Sequence, residues 1–160
     1  HPLDVVGWDG CYYPYCFNAL DFSSILGKHH MPPPTHQVFE GGNFVICAFA
    51  PRMLDFHPEA IKVPYNHSNV DSDEVMYYCD NKYTARKGIA EGSMTMHPQG
   101  IAHGPHPGTV ESSLDQTFTD ELVVMCDTFR PLFPTKSAME IDDDAYPKSW
   151  EDWKPIPVSG

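Results

Sequence analysis

The sequence predicts an all-β domain, a barrel or jelly roll of short strands flanked by irregular, proline-rich arms. Three observations lead there. Short apolar or alternating runs recur at spacings of roughly 8–12 residues with Gly or Pro between them. Sixteen prolines in 160 residues keep elements short and do not suit a helical bundle. No internal repeat or heptad is present.

Residues 1–22 carry many aromatics, among them Trp8, Tyr12, Tyr13, Tyr15, Phe17 and Phe22, and Asp9-Gly10 is a hairpin-type turn signal. Residues 23–37 read as loop, with Pro32-Pro33-Pro34 expected to forbid regular structure. Phe44–Phe49 is a continuous apolar run flanked by Gly41-Gly42 and Pro51, so a buried strand is expected. Residues 53–64 are irregular. Val75–Cys79 is the next strand, Asp80-Asn81 a turn whose residues tolerate a left-handed backbone, and Tyr83–Arg86 the expected return strand. Ser93–His97 alternates polar and apolar, as a half-buried strand would. Pro98-Gln99-Gly100 is a tight turn, residues 103–109 are too rich in Gly and Pro for a helix, and Glu121–Asp127 is the clearest strand of the second half. The tail from residue 134, with Trp150 and Trp153, is expected to pack back through its aromatics.

Hydrophobic residues make up 41% of the chain, enough for one domain spanning 1–160 with a core of its own. The net charge of −12 argues against a nucleic-acid partner, which needs a basic surface, and against an anionic membrane. Small anionic substrates stay open, because a metal reverses the local field. Five cysteines without a C-x-x-C spacing predict free thiols and a reducing, cytoplasmic setting. No apolar run is long enough to span a membrane. The first residue is His1, so a fragment, a processed form or a domain of a longer chain is expected.

The chemistry concentrates in His67-Ser68-Asn69-Val70-Asp71-Ser72-Asp73-Glu74, followed one hairpin later by His103. Two imidazoles and one carboxylate leave open positions on a metal, as non-haem Fe(II) oxygenases require for substrate and O2 together. The absence of a nearby Cys ligand argues against structural zinc. A lone His is more often structural, so the case rests on the whole pattern. That pattern resembles the two cupin motifs. In the first, H-x-H-x(3,4)-E, Asn69 stands where a second His often stands. The second, G-x5-P-x-G-x2-H, is matched by Gly92, Pro98, Gly100 and His103. Asn81 takes the place of the glycine usual after the first motif.

The wider context resembles homogentisate 1,2-dioxygenase. Pro64-Tyr65-Asn66-His67-Ser68-Asn69 with Ser72, Glu74 and Met76 is similar to that family's P-Y-x-H-x-N…S-E-x-M stretch. His97 followed by His103-Gly104-Pro105 is similar to its second His and H-G-P. Asp4-Val5-Val6-Gly7-Trp8-x-Gly10 with Tyr13-Pro14-Tyr15, and Tyr146-Pro147-Lys148-Ser149-Trp150, extend the likeness over nearly the whole chain. The likeness is to the C-terminal catalytic part, so the chain is expected to be that part of a longer one. It implies a cupin-type jelly roll (double-stranded β-helix) and an enzyme of aromatic amino-acid breakdown that opens homogentisate with O2 to maleylacetoacetate. It implies Fe(II) held by His67, Glu74 and His103, with His97 and Tyr83 near the substrate, and a homo-oligomer, trimer or hexamer. Two departures stand out. The His67–Glu74 interval is one residue longer than in the animal enzymes, and Asp9 replaces the family's catalytic His after the Trp.

Among other groups, His97 is the best candidate acid or base, since imidazole titrates near neutrality. Asp9 is either a base for a phenol proton or the first residue of a turn. Tyr83, Arg52 or Arg86 could meet a substrate carboxylate, His106 reads as a loop residue, and His29-His30 as solvated. The runner-up readings are a related dioxygenase acting on gentisate, hydroquinone or another hydroxylated aromatic, and a non-catalytic metal-binding cupin.

Overall fold

The apolar run at 44–49 does form a strand, and the sheet is built around it. The structure is a computed structural model that describes residues 16–28, 31 and 33–151. In chain order it contains β1 (Gln37–Glu40), β2 (Phe44–Phe49), β3 (Arg52–Met53), β4 (Asp73–Tyr78), β5 (Met94–His97), the short helix α1 (Thr109–Ser113), β6 (Phe118–Thr119), β7 (Val123–Thr128) and α2 (Lys136–Glu140). Five strands pair in the order β1-β2-β7-β4-β5, all antiparallel, while β3 and β6 form a separate two-stranded ribbon. The fold is therefore mostly antiparallel β, consistent with a cupin-like β-sandwich.

Register decides what the main sheet buries. Residues directly opposite on antiparallel strands share a face. One inward row runs Thr95, Met76, Met125, Cys47, and the next Tyr78, Val123, Phe49. These rows, with Val63, Tyr83 and Ala85, make the core, each large apolar side chain contributing about 1.5–3 kcal/mol by burial. The third inward row is His97, Glu74, Asp127 and Val45. The same sheet face is thus apolar along most of its length and polar at one end.

Several expectations are corrected. Tyr83–Arg86 is not a return strand; β5 pairs with β4 instead. Ala85 and Arg86 are both buried, which breaks the alternation a strand needs, and the Ala85 carbonyl accepts the amide of His106 instead of a ladder partner. The turn at Asp80-Asn81 uses no left-handed residue; the Asp80 carboxylate accepts the Lys82 amide at 3.0 Å. β5 alternates as expected but with reversed sense: Thr95 and His97 are buried while Met94 is 64% exposed, because its inner face serves the polar row. Pro33–His36 forms a 3-10 turn and Gln37 already belongs to β1. Helix α1 begins at Thr109, directly after Gly108, which is left-handed at φ 85°.

The tail packs back, as expected, through Trp150. Its ring stacks on His106 with centroids 3.7 Å apart, and its indole N–H donates to the Pro105 carbonyl at 3.3 Å. Trp153 lies outside the described residues. His106 is a buried pin, 1% exposed, and not a plain loop residue. Its Nδ1 accepts the Lys87 amide at 3.2 Å and its Nε2–H donates to Ser149 Oγ at 2.7 Å. Burial, then the charges of Arg86 and Lys87, push its pKa down to about 4.

A depressed histidine is fully stabilising above its unfolded value near 6.5 and loses that contribution as pH falls toward the folded value. Chemical denaturation between pH 7 and 4 should therefore show a loss on the order of 2–3 kcal/mol attributable to this residue. His106→Gln should flatten that part of the profile; an unchanged profile would show that His106 is not the titrating group.

Candidate metal centre

Two loops meet to form the centre. His67 and His103 form an isolated antiparallel bridge, each amide donating to the other's carbonyl at 2.9 and 2.8 Å. The second motif explains how the chain arrives there. Gly92 (φ 81°) and Gly100 (φ 77°) take left-handed turns that a side chain would strain. The Gly100 amide then donates to the Asn69 carbonyl at 2.7 Å, and the Gln99 amide to Asp73 Oδ1 at 2.8 Å. Gly104 is required for another reason. A Cβ there would lie 2.2 Å from Asn66 Oδ1 and 2.8 Å from Asn66 Cα, so any side chain would push the loops apart beside the bridge.

His67, Glu74 and His103 each offer a ligand atom, all within 4.8 Å of one another. The backbone sets both tautomers. His67 Nδ1–H donates to the Tyr65 carbonyl at 2.8 Å, and His103 Nδ1–H to the Ile101 carbonyl at 3.0 Å. Each Nε2 is thereby left as the lone-pair donor, the arrangement that second-shell carbonyls impose on metal-bound histidines. His103 Nε2 is buried with no hydrogen-bond partner and lies 3.7 Å from Glu74 Oε1. A buried nitrogen without a partner beside a buried carboxylate is costly unless something positive bridges them. Two neutral imidazoles and a carboxylate, with no thiolate among them, fit Fe(II) with open positions. Burial alone would raise the Glu74 pKa, but the neighbouring His103 and His97 outweigh it and hold the group well below the usual carboxylate range.

His97 stands behind this set. Arg86 Nη1 donates to His97 Nε2 at 2.8 Å, so His97 carries its proton on Nδ1 and donates it to Glu74 Oε1 at 2.6 Å. Its ring also stacks on His103, 4.3 Å between centroids. Burial chiefly keeps the His97 pKa down, with Glu74 opposing and Arg86 adding to the effect. Arg86 also donates to the Tyr146 hydroxyl at 3.3 Å and lies 5.5 Å from the centroid of the Trp150 ring. A chain of contacts thus runs from the tail through Arg86 and His97 to Glu74.

On the other side lies a cavity of about 330 Å3. Its wall includes His67 and Glu74, the apolar Phe49, Met76 and Met125, and Tyr83. Tyr83 is buried and packs on Tyr78, 5.2 Å between centroids. Arg52 and Arg86 reach the cavity too, but Arg52 is tied to Glu121 Oε1 at 2.9 Å and to the Ala50 carbonyl. Sequence reasoning missed Asp127, which also lines the cavity. Burial, then the charge of Glu74, raise its pKa to about 6. Asp127 is the penultimate residue of β7, and only the strand register shows that it stands opposite Glu74. Asp9, His29 and His30 lie outside the described residues.

Residues 31–156 match the family model for the homogentisate 1,2-dioxygenase C-terminal domain. The chain belongs to this family. It is 41% identical over 152 residues to a protein of Saccharolobus solfataricus named provisionally as a dioxygenase, covering 94% of this chain and 40% of that one. Against the homogentisate 1,2-dioxygenase of Sinorhizobium fredii the identity is 30% over 172 residues, with 93% and 36% covered. Against that of Legionella pneumophila strain Corby it is 26% over 155 residues, with 91% and 36% covered. The chain thus spans about two fifths of the length of the curated relatives it matches.

Removing the His97 ring should free Glu74 Oε1 without touching a ligand. His97→Ala should bind metal about 10–100-fold more weakly while staying folded. Metal titration alongside circular dichroism checks this, and unchanged affinity would make His97 dispensable to the centre.

Proposed function

We propose that this chain is the catalytic part of an Fe(II)-dependent dioxygenase that opens a hydroxylated aromatic ring with O2, homogentisate being the substrate named among its relatives. The observation that carries the proposal is the partnerless buried Nε2 of His103, set beside Glu74 and His67, which both line the cavity. His67, Glu74 and His103 would hold the iron. Bound Fe(II) supplies open positions for substrate and O2 and the electron transfer that ring cleavage needs.

The protein's own groups do the rest. The Tyr65 and Ile101 carbonyls accept the Nδ1–H of His67 and His103, which makes each Nε2 the atom available to a metal, and His97 fixes one oxygen of Glu74. Phe49, Met76 and Met125 give an apolar wall for a ring and exclude water. Tyr83 closes the same wall and is the candidate for a hydrogen bond to substrate. Asp9 is the candidate acceptor for a phenol proton. Assembly into a trimer or hexamer is part of the same proposal; Phe133 and Ile141, 87% and 85% exposed, give the tail apolar surface to cover. A reducing, cytoplasmic setting fits the described cysteines, Cys16, Cys47, Cys79 and Cys126, all free.

One observation favours a related substrate. Each cavity arginine already spends its Nη1 within the protein, Arg52 on Glu121 and Arg86 on His97, so a substrate carboxylate would meet neither as a free fork, although Arg86 Nε has no partner. Hydroquinone-like substrates therefore belong in the assay beside homogentisate and gentisate.

Protein purified anaerobically and loaded with Fe(II) should consume O2 with at least one of these compounds. His67→Ala, Glu74→Ala and His103→Ala should each abolish stoichiometric iron, since two remaining ligands hold a labile ion weakly; full iron by elemental analysis in any of them removes that residue from the site. Iron without O2 uptake on any hydroxylated aromatic would support a non-catalytic metal-binding role instead. Asp9→His should raise turnover of homogentisate at least tenfold if Asp9 sets substrate preference. Unchanged kinetics would leave Asp9 as a turn residue.

A further inference from the structure

Asp127 has no structural reason to be where it is. It stands directly opposite Glu74 in the β4–β7 register, and both line the cavity. Such pairs bring their Cβ atoms within about 4.5–5.5 Å, and like charges there destabilise a sheet. The two inward rows beyond this pair are filled mainly by apolar side chains, so the sheet does not need a second carboxylate here. Asp127 Oδ1 is also buried with no hydrogen-bond partner, a condition native structures ordinarily avoid. Donors on the same wall make other contacts: Arg86 Nη1 with His97 and Tyr146, Arg52 Nη1 with Ala50 and Glu121, and Asn69 Nδ2 at 3.5 Å from Glu74 Oε2; Arg86 Nε is itself without a partner and so does not reach Asp127. Asp127 is not part of the three-residue cluster that could hold a metal. It lies beside that cluster, on the wall a substrate would touch.

We infer that Asp127 is a substrate-binding residue whose partnerless oxygen accepts the O–H of a second hydroxyl on a dihydroxylated aromatic ring. The inference rests on the proposed function and narrows it to substrates with two hydroxyls. A carboxylate in this position accepts an O–H and repels a substrate carboxylate or an ether oxygen. No proton needs to leave the substrate for this contact.

The test uses Fe(II)-loaded protein without O2 and two chromogenic probes, 4-nitrocatechol and 2-methoxy-4-nitrophenol, which lacks one O–H. Absorbance titration gives both dissociation constants, and iron is measured in the same samples. The unaltered protein should bind the catechol at least tenfold better than the ether. Asp127→Asn and Asp127→Ala should shrink that ratio at least fivefold, keep their iron, and melt no lower than the parent, since an opposed like charge has gone. An unchanged ratio in both variants overturns the inference while leaving the proposed function intact. Iron lost from both variants makes Asp127 a metal-holding group and also overturns it. Parent protein that takes up iron but binds neither probe ends the aromatic-substrate reading, and the inference with it.

Discussion

Two backbone hydrogen bonds between His67 and His103 are the constraint on which the centre depends. They join loops far apart in sequence, and neither loop is held by a long strand. What keeps them at bonding distance is local and steric: left-handed turns at Gly92 and Gly100, the Gly100 amide on Asn69, and Gly104 lying against Asn66. With the backbones fixed, the carbonyls of Tyr65 and Ile101 fix the rings. The orientation of both candidate ligands is thus a consequence of main-chain geometry.

The main sheet solves a different problem on the same surface. Its inward face must bury apolar side chains to hold the fold and must also present charged groups to a cavity. Register separates the two tasks into successive cross-strand rows. Tyr78, Val123, Met76 and Met125 secure the core, and His97, Glu74 and Asp127 form the polar end. The polar row brings like charges together and leaves Asp127 Oδ1 without a partner, with His103 Nε2 unpaired beside Glu74, a local loss of stability of the kind tolerated at functional sites.

The tail connects to this row at a distance. Trp150 stacks on the buried His106, and Tyr146 and Trp150 both meet Arg86, which holds His97 against Glu74. A segment that looks peripheral in the chain therefore limits the freedom of a candidate ligand through two intermediaries. Trp150 is spent on this contact, while Phe133, Met139 and Ile141 are exposed apolar groups of the described tail.

Much was legible in the sequence for physical reasons. The spacing of Gly92, Pro98, Gly100 and His103 encodes turns whose backbone angles few other residues accept, so the motif survives reading without a structure. The apolar runs at 44–49 and 121–127 read as strands because nothing but burial explains them. Tyr83–Arg86 misled because Tyr83 and Thr84 are β-prone, yet Ala85 and Arg86 are both buried in an irregular segment, where long-range packing overrides propensity. The inverted sense of β5 and the pairing of Asp127 with Glu74 were invisible for a stricter reason. Alternation shows that a strand has two faces, but which face turns inward, and which residue stands opposite which, is set by register between distant strands. Sequence by itself marked the turn at Pro98-Gln99-Gly100, the strands at 44–49, 75–79, 93–97 and 121–127, and three candidate ligands. Tertiary structure alone decided that His97 supports Glu74, that Arg86 supports His97, and that Asp127 faces the same cavity, because each is a contact between segments that no local pattern relates.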